Sequence, residues 1–131
     1  MGAILKSRIN RATYWAIFVP VVALYGLVLA FAERPPGIAE GIVIVLGVPR
    51  LHDLGASGWW MAAPIVIEIA ALIAAVILLP IDHILIVAGI IVLGMTVMMI
   101  VLGAIPGQKL ANAYGEPPAP GVAFFGKPKA S

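Results

Sequence analysis

Arg50-Leu51-His52-Asp53-Leu54-Gly55-Ala56-Ser57-Gly58-Trp59-Trp60 lies between two strongly apolar segments. It brings a cation, an imidazole, a carboxylate, two glycines and two indoles into surroundings that are otherwise aliphatic. Read by local rules, it is the hinge of a helical hairpin. Arg50 and Asp53 are three apart and share a face at a helix end. Arg50 also places a cation at the negative C-terminal end of its own helix. Gly55 suits the left-handed residue that follows a helix. Ser57 can cap the next helix, and Trp59 and Trp60 then anchor its start among lipid headgroups. Such a hinge predicts membrane helices on both sides.

Composition agrees. The chain has 131 residues, 63% hydrophobic and 11% charged, with a mean hydropathy of +1.12. A soluble domain is nearer about 45–50% apolar and about 25% charged. The expected fold class is all-α, a polytopic membrane protein. Apolar runs cover 14–32, 38–49, 61–80 and 84–105. A spanning helix needs about 20 such residues, with a lower limit of about 17. Three runs qualify directly. The second qualifies if its helix continues to Leu54, with Arg50 snorkelling toward the headgroups. Glu33-Arg34-Pro35-Pro36-Gly37 and Pro80-Ile81-Asp82-His83 read as tight connections, since proline removes an amide donor and glycine admits a left-handed backbone. The expected organisation is a cytoplasmic segment at 1–13, four transmembrane helices within 14–105, and a cytoplasmic polar tail at 106–131, largely disordered after 116.

Orientation follows from charge. If all four runs span, both termini and the hinge share one face. Of the 8 Lys and Arg residues, all but Arg34 fall there: Lys6, Arg8, Arg11, Arg50, Lys109, Lys127 and Lys129. The positive-inside rule places that face, with both termini, in the cytoplasm. Tyr14, Trp15, Trp59 and Trp60 are expected as interfacial anchors at the same level. Lys6, Arg8 and Arg11, followed by an apolar run ending in Ala30-Phe31-Ala32, also have the outline of a secretory signal. The run exceeds the about 7–15 residues of such a core.

The formal charge of +2 is too small to suggest nucleic-acid binding, and with no cysteine, disulfides and thiolate chemistry are excluded. His52 and His83 are predicted on opposite membrane faces, so no metal site and no cofactor is expected. Glu68 is the one intramembrane acid, about 10 Å into its span at 1.5 Å per residue. A carboxylate there is costly unless protonated or paired; its expected partner is Arg50, or a hydroxyl or indole within the bundle, and a neutral, hydrogen-bonded Glu68 holding helices together is the plainer alternative. Ala70 with Ala74, and Ala71 with Ala75, give small faces for close helix approach. Met95, Met98 and Met99 read as gap fillers. His52 beside Asp53 does not make an acid–base pair by adjacency alone, so no catalytic residue is assigned.

Three polar stretches stand out as a set: Arg8-Ile9-Asn10-Arg11-Ala12-Thr13-Tyr14-Trp15, the Arg50–Trp60 hinge, and Gly107 to Gly115 with Asn112, Tyr114 and Gly115 at fixed offsets. The set resembles the uncharacterised bacterial inner-membrane family known as domain of unknown function 805, over roughly Arg8 to Pro118. The third stretch departs from the family's usual Gly-Thr-Pro-Gly, since Gln108, Lys109 and Leu110 follow Gly107 here. The resemblance implies a multi-pass inner-membrane protein and carries no established activity or catalytic residue.

All three stretches fall on the predicted cytoplasmic face. Arg8, Asn10, Arg11, Arg50, His52, Asp53, Asn112 and Tyr114 are therefore expected to form a polar cluster there, with Arg8 or Arg11 pairing with Asp53. The leading reading is a non-enzymatic membrane protein whose polar cap binds a protein partner, a second copy or anionic lipid headgroups. Two alternatives remain: a small oligomeric transporter or proton-coupled channel using Glu68, and a membrane enzyme acting on a lipid or phosphate through His52 and Asp53.

Overall fold

Four helices follow one another in the order that hydropathy predicts. The computed structural model describes residues 5–31 and 39–123. Helix α1 spans Arg11–Phe31, α2 Ala39–Asp53, α3 Ala62–Leu78 and α4 Ile81–Ala104, with a 3-10 turn at Gly58–Met61 leading into α3. No strand occurs among the described residues; an isolated bridge joins Asn112 to Gly115. The connection at Glu33 to Gly37, with Arg34, Lys127 and Lys129, lies outside the described residues.

Three segments are long and apolar enough to cross a bilayer: Arg11–Phe31, Gly58–Leu78 and Ile81–Ala104, with hydropathies of 2.1, 2.6 and 2.9. The protein is thus a helical membrane protein. The second apolar run behaves differently. Its helix α2 has 15 residues, about 22 Å at 1.5 Å per residue, against an about 30 Å hydrocarbon core.

Local chemistry sets the helix ends. Asn10 caps α1: its Oδ1 accepts from the Thr13 backbone N–H at 2.7 Å. At the end of α2 the Ala56 N–H donates to Leu51 O at 2.9 Å and the Gly55 N–H to His52 O at 3.1 Å. Gly55 has φ 77°, which a side chain would strain. This is the Schellman closure, as the sequence predicts. Ser57 Oγ then accepts from the Trp59 N–H at 3.3 Å and caps the 3-10 turn.

The buried core is Tyr14, Phe18, Leu46, Met61, Met99 and Leu102. It sits at one end of the bundle, where α1 starts, α2 ends, the 3-10 turn starts and α4 ends. Away from that end, Leu24, Phe31, Ile77 and Leu85 face outward, as lipid-facing side chains do. Tyr14, expected as an interfacial anchor, is 0% exposed and faces the core. Its ring stacks on Phe18 one turn along α1, with centroids 5.5 Å apart, and its hydroxyl donates to Met99 O at 2.7 Å. The helix face, which counting along a sequence does not fix, points it inward.

Candidate functional site

Asp53 ends α2 inside the core end of the bundle and is 2% exposed. Its Oδ1 accepts from Arg8 Nε at 3.3 Å and Nη2 at 3.1 Å. Its Oδ2 accepts from Arg50 Nη1 at 2.5 Å. Both pairs are enclosed, with side-chain exposures of 1% and 3% for Arg8–Asp53 and 0% and 3% for Arg50–Asp53. The cluster therefore buries two guanidiniums against one carboxylate. The remaining positive charge needs partners of another kind.

Backbone carbonyls supply them. Arg50 Nε donates to Leu102 O at 3.2 Å and Nη2 to Ile105 O. Those oxygens belong to the C-terminal turn of α4, whose carbonyls lack helical partners and carry the negative end of the helix dipole. Arg50 Nη1 also donates to Ile9 O at 3.2 Å. Trp15 Nε1 takes a further α4 carbonyl, Gly103 O, at 3.1 Å. Arg50 thus does not snorkel. It is 0% exposed and caps a neighbouring helix, because in apolar surroundings the freed carbonyls of α4 attract it more than distant headgroups do.

Arg8 binds the segment after α4. Its Nη1 donates to Leu110 O at 3.1 Å and Gly115 O at 2.8 Å, and its Nη2 to Gln108 O at 2.7 Å. With the two bonds to Asp53, every N–H of this guanidinium is used. The chain passes tightly over Asp53: the Gln108 N–H donates to Asp53 O at 2.8 Å, and a Cβ on Gly107 would overlap the Asp53 carboxylate. Asn112 then forms a turn. Its Oδ1 accepts from the Tyr114 N–H at 2.9 Å, and its Nδ2 donates to His52 O at 2.9 Å. The turn lays the Tyr114 ring on His52, with centroids 3.9 Å apart and planes 9° apart. The His52 Nδ1 lies 3.2 Å from Ser7 O.

Asn10 continues the closure, donating to Ala119 O and Gly121 O at 2.7 Å each. The Ala123 N–H donates to Thr13 Oγ1 at 2.9 Å. Disorder is expected after 116, yet residues 119–123 are tied to α1 by these bonds; residues 124–131 lie outside the described residues.

The geometry thus brings together Arg8, Asn10, Arg50, His52, Asp53, Asn112 and Tyr114. Arg11 is exposed at the rim. Trp59 and Trp60 are exposed, at 85% and 68%, and Trp15 is half-buried against α4. Glu68 is half-buried on α3 and does not pair with Arg50. Its electrostatic neighbour is Glu40, a second acid. His52 and Asp53 turn to different partners, so they do not form an acid–base couple. No group of three or more possible metal ligands occurs among the described residues. Gly107, Gln108 and Thr13 lie within the polar stretches of the sequence but are not among the residues expected in the cluster. Gly107, directly after Pro106, is the residue whose type signals a close approach.

Among protein families, residues 38–116 match one described as a protein of unknown function, DUF805. The match covers more than half the chain and includes the hinge and the Asn112–Gly115 turn. The Arg8–Trp15 stretch lies before it. No curated protein and no solved structure matches the chain.

Proposed function

The chain belongs to the DUF805 family, and from that premise we propose that it is a non-enzymatic, four-span protein of the bacterial inner membrane with both termini in the cytoplasm. Its closed cytoplasmic cap presents a rim that binds anionic lipid headgroups. One observation carries the reading. Arg8 and Arg50 are consumed by Asp53 and by carbonyls, whereas Lys6, Arg11, Lys109, Trp59 and Trp60 remain exposed at the same end. Exposed cations beside indoles suit an anionic interface. The buried arginines serve the fold; the exposed cations are left for the membrane.

Mass analysis of the full chain, extracted in mild detergent, tests this. Retained phosphatidylglycerol or cardiolipin is expected, and its loss when Lys6, Arg11 and Lys109 are all changed to Gln. A retained protein in place of lipid would make the rim a partner surface instead. A bare monomer would remove the reading.

A further inference from the structure

A cavity of about 610 Å³ opens between α2 and the start of α3. Ile44 and Val48 of α2, Met61 at the end of the 3-10 turn and Ile65 of α3 form its apolar walls, and His52 and Tyr114 also line it. The cap does not use the inner edge of that histidine. His52 is 7% exposed, and its Nδ1 faces Ser7 O at 3.2 Å. A carbonyl oxygen only accepts, so Nδ1 donates in this contact, and in that tautomer Nε2 is left as an acceptor. Nε2 has no hydrogen-bond partner among the described residues. No wholly enclosed side-chain nitrogen or oxygen among them lacks a partner, so Nε2 meets open space. A Cβ built on Gly58, which lines the cavity, would lie 3.0 Å from Nε2. Nε2 therefore lies beside Gly58, and both residues line the cavity.

We propose that this cavity binds a neutral lipid, an amphiphile with an apolar chain and a hydroxyl-bearing head whose hydroxyl donates to His52 Nε2. The volume lies within the about 300–1,000 Å³ of ordinary ligand sites. The apolar walls run on to Val66, which lines the cavity and is 63% exposed on the lipid-facing side of α3. The occupant thus enters from the bilayer. No Lys or Arg lines the cavity among the described residues, and a buried anionic head without a cation is strongly disfavoured. That selects a neutral head. Ser57 Oγ accepts from the Trp59 N–H and keeps its own proton for an ester or second hydroxyl oxygen. The site shares Trp59 with the outer rim but differs from it in charge preference, and a comparison of lipids tests it separately.

Tryptophan fluorescence of the full chain in phosphatidylcholine vesicles provides the test, because Trp59 lines the cavity. The vesicles receive dibrominated mono-oleoylglycerol or, in parallel, dibrominated phosphatidylcholine or phosphatidylglycerol; bromine quenches on contact. The monoacylglycerol is expected to reach half-maximal quenching at an about tenfold lower mole fraction than either phospholipid, the worth of one well-made hydrogen bond. His52→Phe keeps a ring against Tyr114 and is expected to abolish that preference, as is Ala62→Phe, which puts a ring into the cavity and narrows it. Equal quenching by all three lipids, or a preference for phosphatidylglycerol, overturns the proposal. So does a preference that survives Ala62→Phe. Should His52→Phe fail to fold, the wild-type comparison and Ala62→Phe still decide.

Discussion

Arg50 and Glu68 each put an ionisable group among aliphatic side chains, Arg50 near the end of its helix and Glu68 along the middle of its own. Arg50 is fully enclosed yet donates to Asp53, Leu102 O, Ile105 O and Ile9 O. Glu68 remains half-buried with another acid, Glu40, as its electrostatic neighbour. The difference lies in what helices offer. Along a helix the amides and carbonyls are already bonded to each other, so a charge there finds nothing. At a helix end the last carbonyls are free, and a cation can satisfy several at once. The bundle gathers its polar groups where its helix ends are. This is also where specificity must come from, since in lipid apolar contact alone gives helices little reason to choose one another.

Breaking the counter-charge has the largest expected effect. Asp53→Ala leaves both guanidiniums buried without a carboxylate and is expected to cost about 3–5 kcal/mol. It is read from the midpoint of unfolding by sodium dodecyl sulfate in mixed micelles. A loss no larger than that of a surface change would show the carbonyls alone suffice. Arg50→Lys comes next, at about 2–3 kcal/mol in the same assay. An ammonium keeps the charge but cannot fork between α4 and Asp53. Full stability in the lysine variant would mean that charge, not geometry, caps α4. Gly107→Ala forces the chain off Asp53 and is expected to cost about 1–3 kcal/mol. Crystallography of that variant should find the Gln108 N–H drawn away from Asp53 O; an unmoved turn would contradict the close approach. Glu68→Gln sharpens the other side. With no cation paired to it among the described residues, it is expected to change stability by less than about 0.5 kcal/mol. A large destabilisation would reveal a partner for Glu68, and a loss of proton flux in proteoliposomes would revive a transport role.

The sequence made the apolar helices legible because hydropathy needs no partner information. Gly55 and Ser57 were equally legible, because capping is a local rule. The meeting of Arg8 with Asp53 was foreseeable once charge had put both on one face. The destination of Arg50 was not. Its acceptors are carbonyls of Leu102 and Ile105, and a backbone oxygen leaves no mark in residue identity. The burial of Tyr14 was hidden for a related reason. Its place along the chain says nothing of its direction around α1, which puts it against Phe18 and Met99. The cavity beside His52 was hidden too, since it arises from how α2 and α3 splay.

The bonds of Arg8 have a consequence in time. Its carbonyl partners Gln108, Leu110 and Gly115 lie 100, 102 and 107 residues downstream. At synthesis rates of about 5–20 residues per second, Arg8 waits about 5–20 seconds for them. During that interval the early helices are already made, while their most demanding donor is incompletely bonded. The stretch that follows α4 is therefore a latch that engages late. A chain ending at Ala104 would leave Arg8 without the carbonyls of Gln108, Leu110 and Gly115.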